Sequence, residues 1–99
     1  PHVTSFLDMM LRDKYSPMRV EEVHVPAHSP FVGKPVKDID FRTIGNIMLI
    51  SARKPSGEWV YNPYPDTVCE KEMSLIIIAT PEEKELLVEL VSGGADSAL

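Results

Sequence analysis

Residues 29–41, SPFVGKPVKDIDF, decide how the rest of the chain is arranged. They begin as a proline-containing loop whose lone glycine, Gly33, is expected to adopt a backbone conformation unfavourable for a residue with a Cβ. The loop leads into apolar residues Val36 and Ile39, which are spaced like one face of a short helix. Gly45 is predicted to end that helix as a left-handed cap. The sequence thus predicts a loop and a short helix here.

Predicted strands flank this helix. Residues 19–25 alternate apolar and polar side chains, the period of a strand with one face in water. Residues 46–53, NIMLISAR, are apolar on both faces, which predicts a central strand covered on two sides. Residues 54–57, KPSG, have proline and glycine where a turn favours them, so a hairpin into residues 58–62 is expected.

The C-terminal part predicts a further strand and a helix. The two prolines in residues 63–66, PYPD, end the hairpin strand, and residues 74–79, SLIIIA, form a buried strand. Thr80 can cap the following helix, Pro81 suits its first position, and Glu83 can reach back to the cap amide. The buried stripe of this helix is predicted to consist of Leu86, Leu87, Leu90 and Val91.

The predicted elements indicate an α+β (mixed α/β) domain with one four-stranded sheet and helices packed on it. Residues 3–12 repeat apolar side chains at helical spacing, so an amphipathic helix is expected to precede the sheet. We predict a linking or dimerisation helix and hinge over 1–18, a regulatory domain over 19–92 and a flexible tail over 93–99. Because the chain starts with Pro1, we expect it to be a piece of a longer protein.

Composition narrows the function classes. The 99 residues carry a net charge of −5 without a basic cluster, which argues against a nucleic-acid surface. The longest apolar run, residues 75–79, is far shorter than the ~20 residues that span a bilayer. Cys69 is the only cysteine, which excludes an intrachain disulfide and favours a reducing, cytoplasmic setting.

Few residues are candidates for a metal site, a catalytic site or a ligand-binding site. His24 and His28 lie four apart but on a predicted strand and loop, so no metal site is expected. No nucleophile elbow surrounds any serine or Cys69, and we predict no enzymatic activity. Arg42 stands beside Asn46, where a guanidinium and an amide could bind a phosphate; a surface arginine at a helix C-terminus is the simpler interpretation.

The order of motifs is more specific than any one of them. V-x-V-x(3)-S-P-F-V-G-K-P-V-K-D-I-D-F-R is followed by a hairpin, Y-N-P-Y-P-D-T-V, a buried strand and a T-P-E-E helix. Together these resemble the C-terminal lobe of regulator-of-potassium-conductance domains, the TrkA-C or RCK_C family, over about residues 19–91. The opening PHVTSFLDMMLRD resembles the linking helix of bacterial potassium-channel proteins. Glu72-Met73 stands where many members have Gly-Asp.

The resemblance implies a regulatory role. It implies a cytoplasmic ligand-sensing domain of a potassium channel, which pairs with a second copy and couples ligand binding to gating. The parent protein would supply an N-terminal nucleotide-binding domain and a membrane pore. By position, the residues implied to line the ligand cleft are Arg42, Asn46, Ile47 and Pro63. The resemblance implies cyclic di-AMP or another small regulatory ligand, since some relatives bind cyclic di-AMP while others bind ions elsewhere.

Two other functions fit the same resemblance. The lobe also occurs in cation/proton antiporters and other transporters, which the sequence upstream of this chain would distinguish from a channel. It could also be a purely structural dimerisation module without a ligand, which calorimetry with cyclic dinucleotides, nucleotides and divalent ions would distinguish from a sensor.

Overall fold

Four strands form one sheet in the computed structural model, which describes residues 17–93. In chain order they are β1 (Arg19–His24), β2 (Met48–Arg53), β3 (Trp59–Val60) and β4 (Ser74–Ala79). Their spatial order is β1-β4-β2-β3, and every neighbouring pair is antiparallel. β1 and β2 therefore run parallel to each other on either side of β4. The predicted α+β class with one four-stranded sheet is confirmed.

Within residues 17–93, two α-helices accompany the sheet, α1 (Phe41–Ile44) and α2 (Pro81–Val91), with a 3-10 turn at Val36–Asp38. The single short helix predicted after Gly33 is wrong in detail, because Ile39 is extended (φ −84°, ψ 114°) and separates the turn from α1. Its two predicted inward residues, Val36 and Ile39, are nevertheless buried. The expected left-handed cap is also wrong: Gly45 has φ 161°, an extended conformation.

The core lies between one sheet face and α2. Leu75 and Ile77 of β4 are fully buried there, together with Leu87 and Val91 of α2. Burying each such side chain stabilises the fold by about 1.5–3 kcal/mol. The predicted helical stripe was too wide, since Leu86 is 49% exposed. With about 100° between successive residues, a stripe centred on the buried positions turns Leu86 towards solvent.

β2 departs from the predicted alternation at a bulge. Leu49 pairs with Ile77 but Ser51 pairs with Ile76, so Ile50 is an extra residue in the ladder. The bulge moves Ala52, instead of Ser51, onto the core face with Leu49. On the opposite face the described residues leave Met48 43% exposed, so the prediction of two covered faces is not met there.

The loop between β1 and α1 is fastened to the segment that precedes β4. Gly33 N donates to the carbonyl of Cys69 at 2.8 Å, and Cys69 N donates to the carbonyl of Lys34 at 2.8 Å. Val36 N continues the pairing by donating to the Thr67 carbonyl at 2.7 Å. Gly33 has φ +85°, which confirms the conformation expected from the sequence. The proline-containing loop is thus held as the partner of residues 65–69.

The predicted amphipathic helix over 3–12 and most of the predicted tail lie outside the described residues. The boundaries at 18 and 93 consequently stay predictions. Within residues 17–93, neither helix has the length and apolar character needed to cross a membrane.

Candidate functional site

An apolar groove of about 290 Å³ opens beside the 3-10 turn and the start of β2. Most of its lining is aliphatic, aromatic or proline, and the exposed Lys37 contributes the one basic side chain of the lining. The lining consists of Val36, Lys37, Phe41, Leu49, Pro63, Tyr64 and Pro65. Such a surface suits a planar apolar group that carries a negative charge at its edge.

Backbone hydrogen bonds hold the two walls of this groove together. Lys37 N donates to the carbonyl of Pro65 at 2.9 Å, which joins the 3-10 turn to the segment after β3. Thr67 closes that segment into a turn: its hydroxyl accepts from Tyr64 N at 2.8 Å, and its N–H donates to the Tyr64 carbonyl at 2.9 Å. Backbone hydrogen bonds, in addition to side-chain packing, therefore give the groove its shape.

The four residues implied by the family resemblance take different places around this groove. Pro63 lines it directly. Arg42 follows the lining residue Phe41 and is exposed on α1, and it makes no ion pair with any of residues 17–93. Asn46 is exposed and Ile47 is half-buried against the core, just before β2. The groove and the segment 42–47 together form the candidate site.

Asn46 is anchored from α2. Its backbone N–H donates to Oε2 of Glu83 at 3.0 Å, while Oε1 of the same carboxylate accepts from Thr80 N at 2.9 Å. Glu83 N in turn donates to the Thr80 hydroxyl at 3.1 Å, so the predicted capping box is confirmed. The hydrogen bond from the Thr80 backbone, and then that from Asn46, lower the pKa of Glu83.

Sequence reasoning missed Lys37, Phe41, Tyr64 and the second role of Glu83. Phe41 could have been suspected as the aromatic next to Arg42, and Tyr64 as part of the Y-N-P-Y-P motif, whereas no sequence signal marks Lys37. The contact between Glu83 and Asn46 joins residues 37 apart, and no local pattern predicts it.

His24 and Cys69 are further candidate groups within residues 17–93. His24 Nε2 lies 2.5 Å from Oε1 of Glu72 at the surface, and no group of three or more potential metal ligands occurs within residues 17–93. Cys69 is fully buried, and desolvation followed by the charge of Asp38 raises the pKa of its thiol. It is a small core residue, as predicted.

Residues 20–92 match the family model described as the TrkA-C domain. The chain belongs to the TrkA-C domain family. A search of curated proteins finds no match for this TrkA-C chain.

Solved structures with the same fold include domains and whole regulators. The RCK_C domain dimer of S. agalactiae BusR in complex with c-di-AMP has a TM-score of 0.65 at 14% identity, covering 74% of this chain and 95% of that chain. The RCK C domain of the potassium transport protein KtrA in complex with c-di-AMP has a TM-score of 0.64 at 23% identity, covering 87% and 95%. These TM-scores, at identities below 25%, establish a common fold for the TrkA-C domain.

The same fold also forms part of larger proteins. The GsuK channel bound to NAD has a TM-score of 0.63 at 20% identity, and the match covers 90% of this chain but 15% of that chain. BusR also matches in complex with its promoter DNA. The expectation that this TrkA-C chain binds no nucleic acid therefore stays a prediction.

Proposed function

We propose that this TrkA-C chain is a cytoplasmic, non-catalytic sensor domain that pairs with a second copy and binds cyclic di-AMP, as part of a potassium channel. The observation that carries the proposal is the apolar groove lined by Phe41, whose neighbour Arg42 is exposed and makes no ion pair within residues 17–93, in a chain of net charge −5. The BusR and KtrA domains in complex with c-di-AMP have the same fold, which supports the choice of ligand.

The chemistry of the site suits a nucleotide. Phe41, Leu49 and Pro63 offer apolar area to a base, and the guanidinium of Arg42 offers a charge-assisted hydrogen bond to a phosphate. Lys37, which lines the groove itself, adds a second positive charge to the site. Because the chain is acidic overall, binding of an anion depends on such local cations.

Pairing of two chains would match the symmetry of the ligand. A cyclic dinucleotide has two bases and two phosphates, and a two-fold axis beside Arg42 would present two grooves and two guanidiniums to it. The proposed cleft residues Asn46, Ile47 and Pro63 would then contact the ligand from both subunits.

Regulation requires that the ligand favour one arrangement of the pair over another. A ligand can shift such an equilibrium only by its differential affinity, with coupling energies of about 1–3 kcal/mol. In the parent protein, the N-terminal nucleotide-binding domain and the membrane pore would respond to that arrangement. The GsuK channel, which contains this fold, supports a channel as the parent.

Other parents remain as alternatives to a channel. A cation/proton antiporter or another transporter is compatible with the TrkA-C family, as is a structural dimerisation module. A transcription regulator is a further alternative, because BusR in complex with promoter DNA has this fold. In that alternative the DNA would contact another part of the parent protein, since this chain lacks a basic cluster.

Calorimetric titration of the full chain with cyclic di-AMP tests the proposal. The wild type is expected to bind, and Arg42→Ala is expected to weaken binding by about 1.5–3 kcal/mol, the scale of a lost hydrogen bond to a charged group. Arg53→Ala is the matched control, since Arg53 pairs with Ser74 on the sheet face opposite Leu49 and Ile77.

Two results would contradict the proposal at different levels. If cyclic di-AMP binds Arg42→Ala at full strength, the proposed phosphate contact is wrong. If the intact wild type binds no cyclic dinucleotide, the ligand assignment is wrong, and the structural dimerisation module becomes the better description.

A further inference from the structure

The first turn of α2 contacts the segment that carries the proposed ligand residues. We propose that Glu83 is a positioning residue for that site: its carboxylate fixes the backbone of residues 45–46 and thereby the orientation in which Arg42 and Asn46 meet a ligand. The inference rests on the proposed function, and it adds a residue of α2 to a site otherwise built from α1, β2 and the groove.

The contacts make Glu83 a link between two elements. One carboxylate oxygen accepts from Asn46 N at 3.0 Å, and the other accepts from Thr80 N at 2.9 Å. The two N–H groups belong to the segment just before β2 and to the cap of α2, which are far apart in the sequence. Hydrogen bonds to a charged acceptor are stronger than neutral ones, so this carboxylate restrains both backbones.

Gly45 leaves room for this link. A Cβ placed on Gly45 would lie 2.8 Å from Cδ and 3.0 Å from Cγ of Glu83, closer than side chains normally approach. The backbone of Gly45 has φ 161°, an extended conformation open to any residue, so its conformation does not explain the glycine. The close approach of the Glu83 side chain explains why a glycine stands at position 45.

Charge determines which groups of this segment stay available to an anion. Both hydrogen bonds lower the pKa of Glu83, so the carboxylate stays ionised at neutral pH. It occupies the backbone N–H of Asn46 and repels a phosphate placed there. A phosphate would instead meet the side chains of Arg42 and Asn46, and the carboxylate holds the backbone of Asn46 in place.

Titration of the full chain with cyclic di-AMP, comparing Glu83→Ala with Thr80→Ala, tests the inference. Thr80→Ala removes the capping hydroxyl of the same turn but leaves the Glu83 carboxylate. It therefore destabilises the start of α2, as Glu83→Ala does, without removing the hydrogen bond to Asn46. Glu83→Ala is expected to raise the Kd about tenfold, whereas Thr80→Ala changes it less than about twofold. Glu83→Gln, which retains one acceptor oxygen, is expected to restore part of the affinity.

A ligand-free measurement keeps the inference testable if cyclic di-AMP does not bind. Amide hydrogen exchange at Asn46 is expected to accelerate about tenfold in Glu83→Ala and to stay near the wild-type rate in Thr80→Ala. Failure of the wild type to bind would sink the proposed function, and the exchange rates would then decide whether Glu83 holds the segment.

A double substitution tests the part played by Gly45. Gly45→Ala is expected to displace the Glu83 side chain and to weaken binding much as Glu83→Ala does, and the double variant is expected to be no worse than either single one. Equal affinity in the wild type and Glu83→Ala, equal exchange at Asn46 in those two proteins, or equal losses in Glu83→Ala and Thr80→Ala would each overturn the inference.

Discussion

Gly33 is a residue whose identity is set by its backbone alone. It has φ +85°, and a Cβ there would meet nothing within 4 Å, so a substitution adds strain without a steric clash. We predict that Gly33→Val destabilises the protein by about 1 kcal/mol or more, because β-branched residues rarely adopt this conformation. Urea unfolding measures the effect.

Asparagine provides the control at the same position. Gly33→Asn is expected to lose less stability than Gly33→Val, since asparagine tolerates left-handed backbone better than other residues with a side chain. Equal losses in the two variants would indicate that side-chain volume, not backbone strain, decides this position.

Glu72 shows the opposite situation, a residue with a side chain in a left-handed conformation. It has φ 65°, at the position where the family resemblance suggests glycine. We predict that Glu72→Gly stabilises the protein by about 0.5–1 kcal/mol, because relief of backbone strain exceeds the loss of the exposed contact with His24. Thermal or urea unfolding measures the gain.

Glu72→Ala separates the two contributions. It removes the contact with His24 and leaves the strained backbone, so it is expected to be no more stable than the wild type. A gain in Glu72→Ala as large as that in Glu72→Gly would show that the side chain, not the backbone, is unfavourable.

The conformation or burial of a single residue was predictable where the residue and its sequence neighbours determine it. The positive φ of Gly33 and the burial of Cys69 followed from the sequence, because both depend on the residue and its immediate neighbours. The role of Gly45 did not, since the reason for it is a side chain 38 positions away in the sequence, on Glu83. Spatial neighbours of that kind leave no local pattern.

At the scale of elements, the start of α2 combines a cap with a pH-dependent group. The pKa of Glu83 lies below its ordinary value of 4.5, so Glu83 stabilises the fold above that value and loses its contribution as pH falls through the lower, folded-state pKa. We predict that the stability difference between wild type and Glu83→Gln is constant from pH 7 to about pH 5 and shrinks below about pH 4.5. Urea unfolding across this range measures it.

Glu85 supplies the control on the same helix. Glu85→Gln removes a carboxylate from an exposed position of α2, and no hydrogen bond to the Thr80 cap or to Asn46 depends on it. The pH profile of Glu85→Gln gives the background for the loss of one carboxylate from α2, against which the profile of Glu83→Gln is compared. If the stability differences of the two variants changed with pH in the same way, the pH dependence could not be assigned to the hydrogen bonds that Glu83 accepts from Thr80 and Asn46.

Elements were predictable to the extent that a regular pattern marks them. β4 occupies the predicted residues 74–79, because an unbroken apolar run between turn signals has few alternatives. The bulge at Ile50 and the extended Ile39 were not predicted, since each depends on pairing with a distant segment. Both irregularities border the groove, through Leu49 on one side and Val36 on the other.

At the scale of the whole molecule, the topology explains why the candidate site was only partly visible in the sequence. The groove joins the crossover between β1 and β2 to the segment after β3, two stretches that the sequence separates and the sheet brings together. Pro63 was implied by the family resemblance, but Lys37 and Tyr64 enter the site only through backbone pairing with residues 65–67.

The proposed pairing of two chains makes the sharpest prediction for the whole molecule. Because one symmetric dinucleotide would lie on the two-fold axis, calorimetry is expected to give one cyclic di-AMP for every two chains. Sedimentation at micromolar concentration is expected to show a dimer without ligand, held more tightly with it, since a ligand that binds only the pair stabilises the pair by mass action. Arg42→Ala would weaken the ligand-dependent tightening but leave the ligand-free dimer intact. A monomer at these concentrations, or one ligand bound per chain, would contradict a shared site and favour two independent grooves.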